Sequence, residues 1–147
     1  MNRDLAEALI AESEGIVFHA YRDSLGLWTC GYGHLLHDQT KDWTGYQITH
    51  EQADAWLSED MQSARVIAAE FPHYDELNDV RQAVLVSMAF QLGTKPLHWT
   101  HFMAALEARD YDAAAVAGLD SEWHRQTPTR AEREMTMLKT ANWAMSA

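Results

Sequence analysis

The amino-acid sequence predicts an α+β protein that is predominantly α, with a small N-terminal β-hairpin lobe and a larger helical lobe joined by a long helix. Three observations lead to this prediction. Apolar residues recur at helical spacing through most of the chain, residues 27–34 are rich in glycine and aromatic residues, and an amphipathic helix is predicted from residue 49. At 147 residues the chain can bury one core, so we expect a single domain over 1–147.

The first elements in the chain are a short helix and a hairpin. A helix is predicted over residues 2–13, because Leu5 and Leu9 recur at helical spacing and Gly15 follows as a stop. The glycine-rich segment 27–34 is predicted to be sheet, whereas residues 35–48 are polar with little periodicity and indicate loop or short strand.

Two long helices are predicted in the middle of the chain. Thr49 is a typical N-cap with Gln52 three residues later, and this helix should run to about Glu70. The segment 80–92 is apolar nearly all round, so we expect a buried helix at the centre of the core that ends at Gly93.

Shorter helices complete the prediction. They fit residues 99–108 and 110–117, and Thr127-Pro128 is a helix start, with an N-cap hydroxyl followed by proline at the first helical position. These elements divide the chain into three parts: a β-containing lobe at about 14–48, a connecting helix at about 49–70, and a helical lobe formed by about 71–147 together with 1–13.

Composition and charge exclude several classes of protein. A formal net charge of −11 disfavours non-specific binding to nucleic acid or to an anionic membrane, since both favour basic patches. No segment approaches the roughly 20 apolar residues of a membrane span, and the N-terminus does not have the pattern of an export signal. Cys30 is the single cysteine, so no intramolecular disulfide can form.

Two carboxylates in different surroundings suggest a type of chemistry. Glu14 lies at the predicted helix end beside apolar neighbours, and burial of a carboxyl raises its pKa, which suits a general acid near neutral pH. Asp23 lies in a polar Arg-Asp-Ser turn and should stay ionised. Such a pair is typical of glycoside hydrolysis.

Other readings of the side chains are weaker. A thiol nucleophile at Cys30 with His34 as its base is disfavoured, because a strand residue next to Thr29 points to the opposite face and Cys30 is expected to be a small buried filler. The histidines lack zinc-ligand spacing apart from an incidental pair, so no metal is expected. For Trp28 and Tyr32, a position in the core and a contact with a sugar are about equally favoured. The tryptophans expected in the core are Trp56, Trp99, Trp123 and Trp143.

Several separated motifs fall in one order and spacing. They are Glu14-Gly15, Tyr21 with Asp23, Thr29 with Gly31, Gly33, His34 and Leu35, then Met88 to Gly93, and finally Trp123, Gln126-Thr127-Pro128, Arg130-Ala131 and Arg133. In this set the chain resembles the T-even bacteriophage lysozyme family, the phage endolysins that cleave peptidoglycan. The resemblance covers nearly the whole chain and implies a lysozyme-like fold.

The resemblance implies roles for three catalytic residues. Glu14 would protonate the glycosidic oxygen, Asp23 would assist attack on the anomeric carbon, and Thr29 would help to place the attacking water. Members of this type invert configuration, which requires room for that water. The two carboxyl groups should therefore lie roughly 6.5 to 9.5 Å apart.

The resemblance also implies supporting and substrate contacts. Arg130 and Gln91 would hydrogen-bond Glu14, and the positive charge of Arg130 would oppose the effect of burial on that carboxyl. His34 and Asp60 would form a structural ion pair between hairpin and long helix. The residues expected to touch substrate are Leu35, Phe90 and Tyr32.

The chain also departs from the family pattern. Phe102 stands where the family has a small hydroxyl residue, and Ala117 stands where it has an amide, so fewer polar contacts to the glycan are expected there. The segment between His34 and Thr49 is shorter than in the T-even type. Relatives of this type are commonly basic, whereas this chain is acidic.

The implied function is that of a muramidase. It would hydrolyse the β-1,4 bond between N-acetylmuramic acid and N-acetylglucosamine of bacterial peptidoglycan as a monomer without a cofactor. An enzyme of this kind without an export signal would wait in the host cytoplasm until a holin-type partner opens the membrane, and would then reach the periplasm and cell wall. The alternatives are a related glycosidase acting on chitin or chitosan, for which an acidic surface would help, and a non-catalytic glycan-binding module on the same scaffold.

Overall fold

The computed structural model describes residues 4–145 and shows an α+β fold that is mostly helical, as the sequence predicts. Two short 3-10 turns, Tyr74–Glu76 and Lys95–His98, precede and follow the helix Asp79–Leu92. The helices and strands are α1 (Leu5–Glu14), β1 (Val17–Arg22), β2 (Trp28–Gly31), β3 (His34–Leu35), α2 (His50–Ala68), α3 (Asp79–Leu92), α4 (Thr100–Glu107), α5 (Tyr111–Leu119), α6 (Glu122–Gln126) and α7 (Pro128–Thr140).

The ends of α1 place the first candidate carboxylate. Asp4 caps the N-terminus by accepting a hydrogen bond from the backbone N–H of Glu7 at 2.8 Å. Residues 2 and 3 of the predicted helix lie outside the described residues. Gly15 ends the helix with φ at 68°, and its N–H donates to the carbonyl of Ala11. Glu14 is therefore the last residue of α1 and not, as predicted, the residue after it.

The sheet has three antiparallel strands in the order β1-β2-β3. On the central strand β2, Thr29 pairs with Tyr21 of β1 and with Leu35 of β3. The third strand is only two residues long, and the loop after it contributes an isolated bridge between His19 and Gln47. This register puts Thr29 in the middle of the sheet.

The two long helices form as predicted, with small differences at their ends. The hydroxyl of Thr49 caps α2 by accepting from the N–H of Gln52 at 3.1 Å, and the helix ends at Ala68, two residues before Glu70. Every residue from 83 to 89 of α3 is buried, which confirms that this helix is at the centre of the core.

Buried apolar side chains form two clusters. The larger one joins all seven helices, and the smaller one lies under the sheet and its loop and contains Ala20, Trp28, Cys30, Leu36 and Trp43. Helix α2 contacts both, because Leu57 belongs to the larger cluster and Trp56 packs against the smaller. On this basis we propose the division at about 14–48, 49–70, and 71–147 with 1–13.

Helix α6 was not predicted from the sequence. Ser121 caps it by accepting from the N–H of His124 at 3.3 Å, and Trp123 on this helix is 2% exposed. Trp123 is thus in the core as predicted, and Trp56, Trp99 and Trp143 are partly buried against apolar clusters. Between residues 4 and 145, no helix has the length and apolarity that crossing a membrane requires.

Candidate active site

One oxygen of the Glu14 carboxylate is bound by an arginine, and the other lies against a glycine. Arg130 Nη1 donates to Glu14 Oε1 at 2.6 Å, and the two side chains are 11% and 24% exposed for arginine and glutamate respectively. The other oxygen faces Gly33, where a Cβ would lie 3.3 Å from Oε2 and where φ is +76°. The arginine therefore orients the carboxylate, and Gly33 leaves room for it.

Arg130 also contacts two residues that the sequence did not single out. Its Nε donates to Glu134 Oε2 at 3.0 Å, and its Nη2 donates to Ser87 Oγ at 3.0 Å. Ser87 Oγ in turn donates to Glu134 Oε2 at 2.7 Å. The only signal for Glu134 in the sequence was an acidic residue one turn after Arg130 on the inner face of a predicted helix.

Asp23 lies in the turn after β1 and is oriented by backbone hydrogen bonds. Its Oδ1 accepts from the N–H groups of Leu25 and Leu27, each at 2.9 Å. The backbone N–H of Asp23 donates to the carbonyl of Leu27 at 2.9 Å, which closes the turn. These contacts orient the carboxylate in a polar, partly exposed turn, the setting that the sequence predicts for it.

Both carboxylates affect the pKa of one side chain, that of Tyr21. Burial raises the pKa of the Tyr21 phenol, and the negative charges of Glu14 and Asp23 raise it further. Both carboxylates are thus close enough to act on one side chain. The sequence analysis used Tyr21 only as part of a motif, and the distance of 6.5 to 9.5 Å between the carboxyl groups stays a prediction.

Thr29 is 3% exposed, and its Oγ1 donates to the carbonyl of Leu27 at 2.9 Å. Leu27 is the same residue whose N–H binds Asp23, so the two candidate residues share one turn. Because the hydroxyl proton is engaged by the backbone, the oxygen lone pairs are what Thr29 can offer to a water. Its role in placing water stays a prediction.

A cleft lies between the sheet and the helices. Leu35, predicted to contact substrate, is 51% exposed and lines it, and Phe90 lines it from α3. His34 Nδ1 lies 2.8 Å from Asp60 Oδ2, and its ring stacks on Trp56 with centroids 4.3 Å apart. The remaining lining residues are Gly33, Ser63, Ala64, Ile67 and Ala89.

The structure contradicts one of the predicted contacts. Gln91 does not bind Glu14: its Oε1 accepts from Trp123 Nε1 at 2.8 Å, and its Nε2 donates to Thr127 Oγ1 at 3.3 Å. The amide fixes α3 against the start of α7, since these are the polar partners within its reach. Tyr32 is 6% exposed and packs in the larger cluster, so little of its side chain is open to solvent, and its contact with substrate stays a prediction.

Two other side chains considered in the sequence analysis are buried in the protein interior. Cys30 is fully buried, as predicted, and burial raises the pKa of its thiol, which disfavours a nucleophilic role. Phe102 is also fully buried in the core. Among the described residues, no group of three or more histidine, cysteine or acidic side chains is arranged to hold a metal ion.

The fold is a small α+β arrangement of the lysozyme type, and the carboxylate of Glu14 lies against Gly33 of the cleft. The family model "Phage lysozyme" matches residues 11–139. The chain therefore belongs to the phage lysozyme family.

Individual relatives agree with this assignment. The chain is 29% identical over 164 residues to "Pre-baseplate central spike protein Gp5" of Enterobacteria phage T4, covering 96% of this chain and 28% of that protein. It is 32% identical over 127 residues to "Peptidoglycan hydrolase gp36" of Pseudomonas phage phiKMV, covering 84% of this chain and 14% of that protein. It is 31% identical over 109 residues to "Endolysin" of Acyrthosiphon pisum secondary endosymbiont phage 1, covering 74% of this chain and 70% of that protein. The chain thus spans well under two thirds of Gp5 and gp36.

Proposed function

We propose that this protein is a muramidase that hydrolyses the β-1,4 bond between N-acetylmuramic acid and N-acetylglucosamine of peptidoglycan. The observation that supports this most directly is the fixed carboxylate of Glu14, held by Arg130 on one oxygen and facing Gly33 of the cleft with the other. Asp23 provides a second, oriented carboxylate, and the negative charges of Glu14 and Asp23 both raise the pKa of Tyr21. One partly buried and one turn-bound carboxylate suit acid/base glycoside hydrolysis.

In the proposed reaction the two carboxylates have opposite tasks. Glu14 donates a proton to the glycosidic oxygen as the bond to the anomeric carbon breaks, and Asp23 assists a water that attacks that carbon from the opposite face. Thr29 accepts a hydrogen bond from this water. After products leave, Glu14 regains a proton from solvent and Asp23 releases one, so the enzyme returns to its starting state without a cofactor.

The cleft supports the choice of substrate. Leu35 and Phe90 offer apolar surface on two sides, which suits the faces of sugar rings. Asp60 and His34 add polar groups to the same wall. The phage relative gp36 is described as a peptidoglycan hydrolase, and we extend that substrate to this chain.

Glu14→Gln is the decisive variant. We expect it to abolish clearing of a peptidoglycan suspension while circular dichroism and melting temperature stay close to wild type. The matched control is Glu12→Gln, because Glu12 is exposed on the same helix. Retained activity in Glu14→Gln would exclude the assignment.

Product analysis tests the mechanism separately. Inversion at a β-linked sugar releases the α-anomer, which proton NMR detects before mutarotation. A β-anomeric product would leave the hydrolase assignment intact and overturn single displacement. Borohydride reduction followed by fragmentation mass spectrometry identifies the reducing-end sugar and distinguishes cleavage after N-acetylmuramic acid from cleavage after N-acetylglucosamine.

The acidic surface favours one alternative substrate. A net charge of −11 would attract a cationic glycan such as chitosan, so hydrolysis of chitosan and peptidoglycan should be compared under the same conditions. We expect faster hydrolysis of peptidoglycan. Binding of either glycan without product release would instead indicate a non-catalytic module.

For the biological role we propose host lysis from within, as the endolysin relative suggests. The protein would act once a holin-type partner opens the inner membrane. Expression in bacteria should leave cells intact until the membrane is permeabilised with chloroform, and lysis should follow. Lysis without permeabilisation would contradict dependence on such a partner.

A further inference from the structure

A second glutamate lies behind the proposed acid and is completely enclosed. Glu134 of α7 is 0% exposed. Its Oε2 accepts two hydrogen bonds, from Arg130 Nε at 3.0 Å and from Ser87 Oγ at 2.7 Å. Its Oε1 is also buried and has no hydrogen-bond partner. An ionisable group with an unsatisfied oxygen in a core is costly, so its presence calls for a functional reason.

Arg130 bridges this glutamate and the proposed acid. Nη1 binds Glu14 Oε1 at 2.6 Å, and Nε binds Glu134 Oε2 at 3.0 Å. One guanidinium therefore serves two carboxylates, one at the cleft and one in the core. Ser87 completes the arrangement, because its Oγ accepts from Nη2 and donates to Glu134.

We propose that Glu134 is a positioning residue for Glu14, acting through Arg130: it orients the guanidinium and offsets its positive charge. The inference rests on the proposed function of Glu14 as the acid. An arginine alone beside that acid would favour its ionised form and so remove the proton that the reaction needs. With Glu134 ionised on the other side, the arginine orients Glu14 while its charge is compensated.

The charges in the network agree with this arrangement. Burial opposes the charge of Arg130, but the carboxylates of Glu134 and Glu14 together raise its pKa above the ordinary value, so it stays positive. Burial raises the pKa of Glu134, the charge of Glu14 adds to this, and Arg130 and Ser87 oppose it. The hydrogen bonds that Oε2 accepts from Arg130 and Ser87 favour the ionised form of Glu134 against the effect of burial.

The charged groups that face Glu134 are few. Arg130 on α7 and Glu14 on α1 are the described ionisable groups that act on it, and α3 contributes the neutral Ser87. Glu132, two residues earlier on α7, lies on the exposed side and pairs with His124 at 3.3 Å instead. It therefore provides a matched control on the same helix.

The test compares pH profiles of peptidoglycan hydrolysis for wild type, Glu134→Gln and Glu132→Gln. Glutamine keeps an acceptor for Arg130 and removes the charge, so we expect the alkaline limb of kcat to move about one pH unit to lower pH. We expect kcat at neutral pH to fall about tenfold with KM little changed, because Glu134 touches no substrate. Glu132→Gln should match wild type, and Glu134→Asp, which keeps the charge, should restore the position of the limb.

An unchanged alkaline limb in folded Glu134→Gln would overturn the proposal. If that variant does not fold, wild-type protein still gives a test. The carboxyl ¹³C resonance of Glu134 should show the ionised form at pH 7, and a protonated Glu134 would overturn the proposal because a neutral group cannot offset Arg130.

A further readout separates this inference from the proposed function. If wild type hydrolyses no glycan, the muramidase assignment fails, but the ¹³C titration curve of the Glu14 carboxyl can still be compared between wild type and Glu134→Gln. We expect the curve of the variant to lie at lower pH. Identical curves would reject the coupling whatever the activity.

Discussion

Gly33 lies directly against the carboxylate of Glu14: a Cβ on this glycine would stand 3.3 Å from Oε2. The same glycine has φ at +76°, in the left-handed region that side-chain-bearing residues rarely adopt. The β2-β3 turn therefore needs glycine for two reasons, the backbone conformation and the space for the proposed acid.

Gly33→Ala separates these two reasons. We expect it to lower the free energy of unfolding by about 1 kcal/mol through backbone strain and to reduce hydrolysis at least about tenfold, because the methyl group displaces the carboxylate. Gly45→Ala is the matched control, since φ is +83° there and no atom lies within 4 Å of the added Cβ. It should lose similar stability and keep activity. Equal activities in the two variants would contradict the contact.

Glu134 should give the stability of the protein a distinct pH dependence. Burial raises the pKa of Glu134 in the folded state. At pH values between the ordinary pKa of glutamate and this raised pKa, the folded state therefore binds more protons than the unfolded state. The contribution of Glu134 to the unfolding free energy therefore falls as the pH rises through that window. Urea unfolding of wild type and Glu134→Gln at a series of pH values should show their stability difference changing in this direction, and a constant difference would contradict it.

Cys30 should be unreactive in the folded protein. Its side chain is fully buried and burial raises its thiol pKa, so little thiolate is present and reagents have no access to it. We expect modification by a thiol reagent at neutral pH to be at least about 100-fold slower in native than in urea-unfolded protein. The rate of Cys30 modification is measured in native and in urea-unfolded protein. Similar rates in the two states would show that β2 opens readily.

Salt should accelerate the action of this acidic protein on an anionic cell wall. At a net charge of −11, repulsion extends over a Debye length of roughly 30 Å at 0.01 M salt and about 8 Å at 0.15 M. We therefore expect clearing of a peptidoglycan suspension to rise from low to moderate salt, and to rise with divalent cations. Hydrolysis of an uncharged soluble oligosaccharide is the control and should stay flat. A monotonic decline with salt for peptidoglycan would contradict the prediction.

The helices could largely be predicted because their signals are local. Thr49 and Thr127-Pro128 mark starts, Gly15 and Gly93 mark ends, and the run of apolar residues in α3 indicates burial. Helix α6 was not predicted, because five residues are too few to show periodicity.

Contacts between elements could not be read from local patterns. Gln91 hydrogen-bonds Trp123 and Thr127, which come within its reach only when α3, α6 and α7 pack together. Tyr32 sits between two glycines on a predicted hairpin, and only the docking of the sheet on the helices decides that its ring is buried.

The sequence by itself determined the α+β class, the order of the main helices, the charge and the position of the two candidate carboxylates along the chain. These follow from periodicity, capping residues and composition, which act over a few residues. The tertiary structure decided what surrounds Glu14: Arg130, 116 positions away along the chain, and behind it Ser87 and Glu134. The reason is that hydrogen bonds and desolvation depend on which side chains meet in space, and that is set only when α1, α3 and α7 pack together.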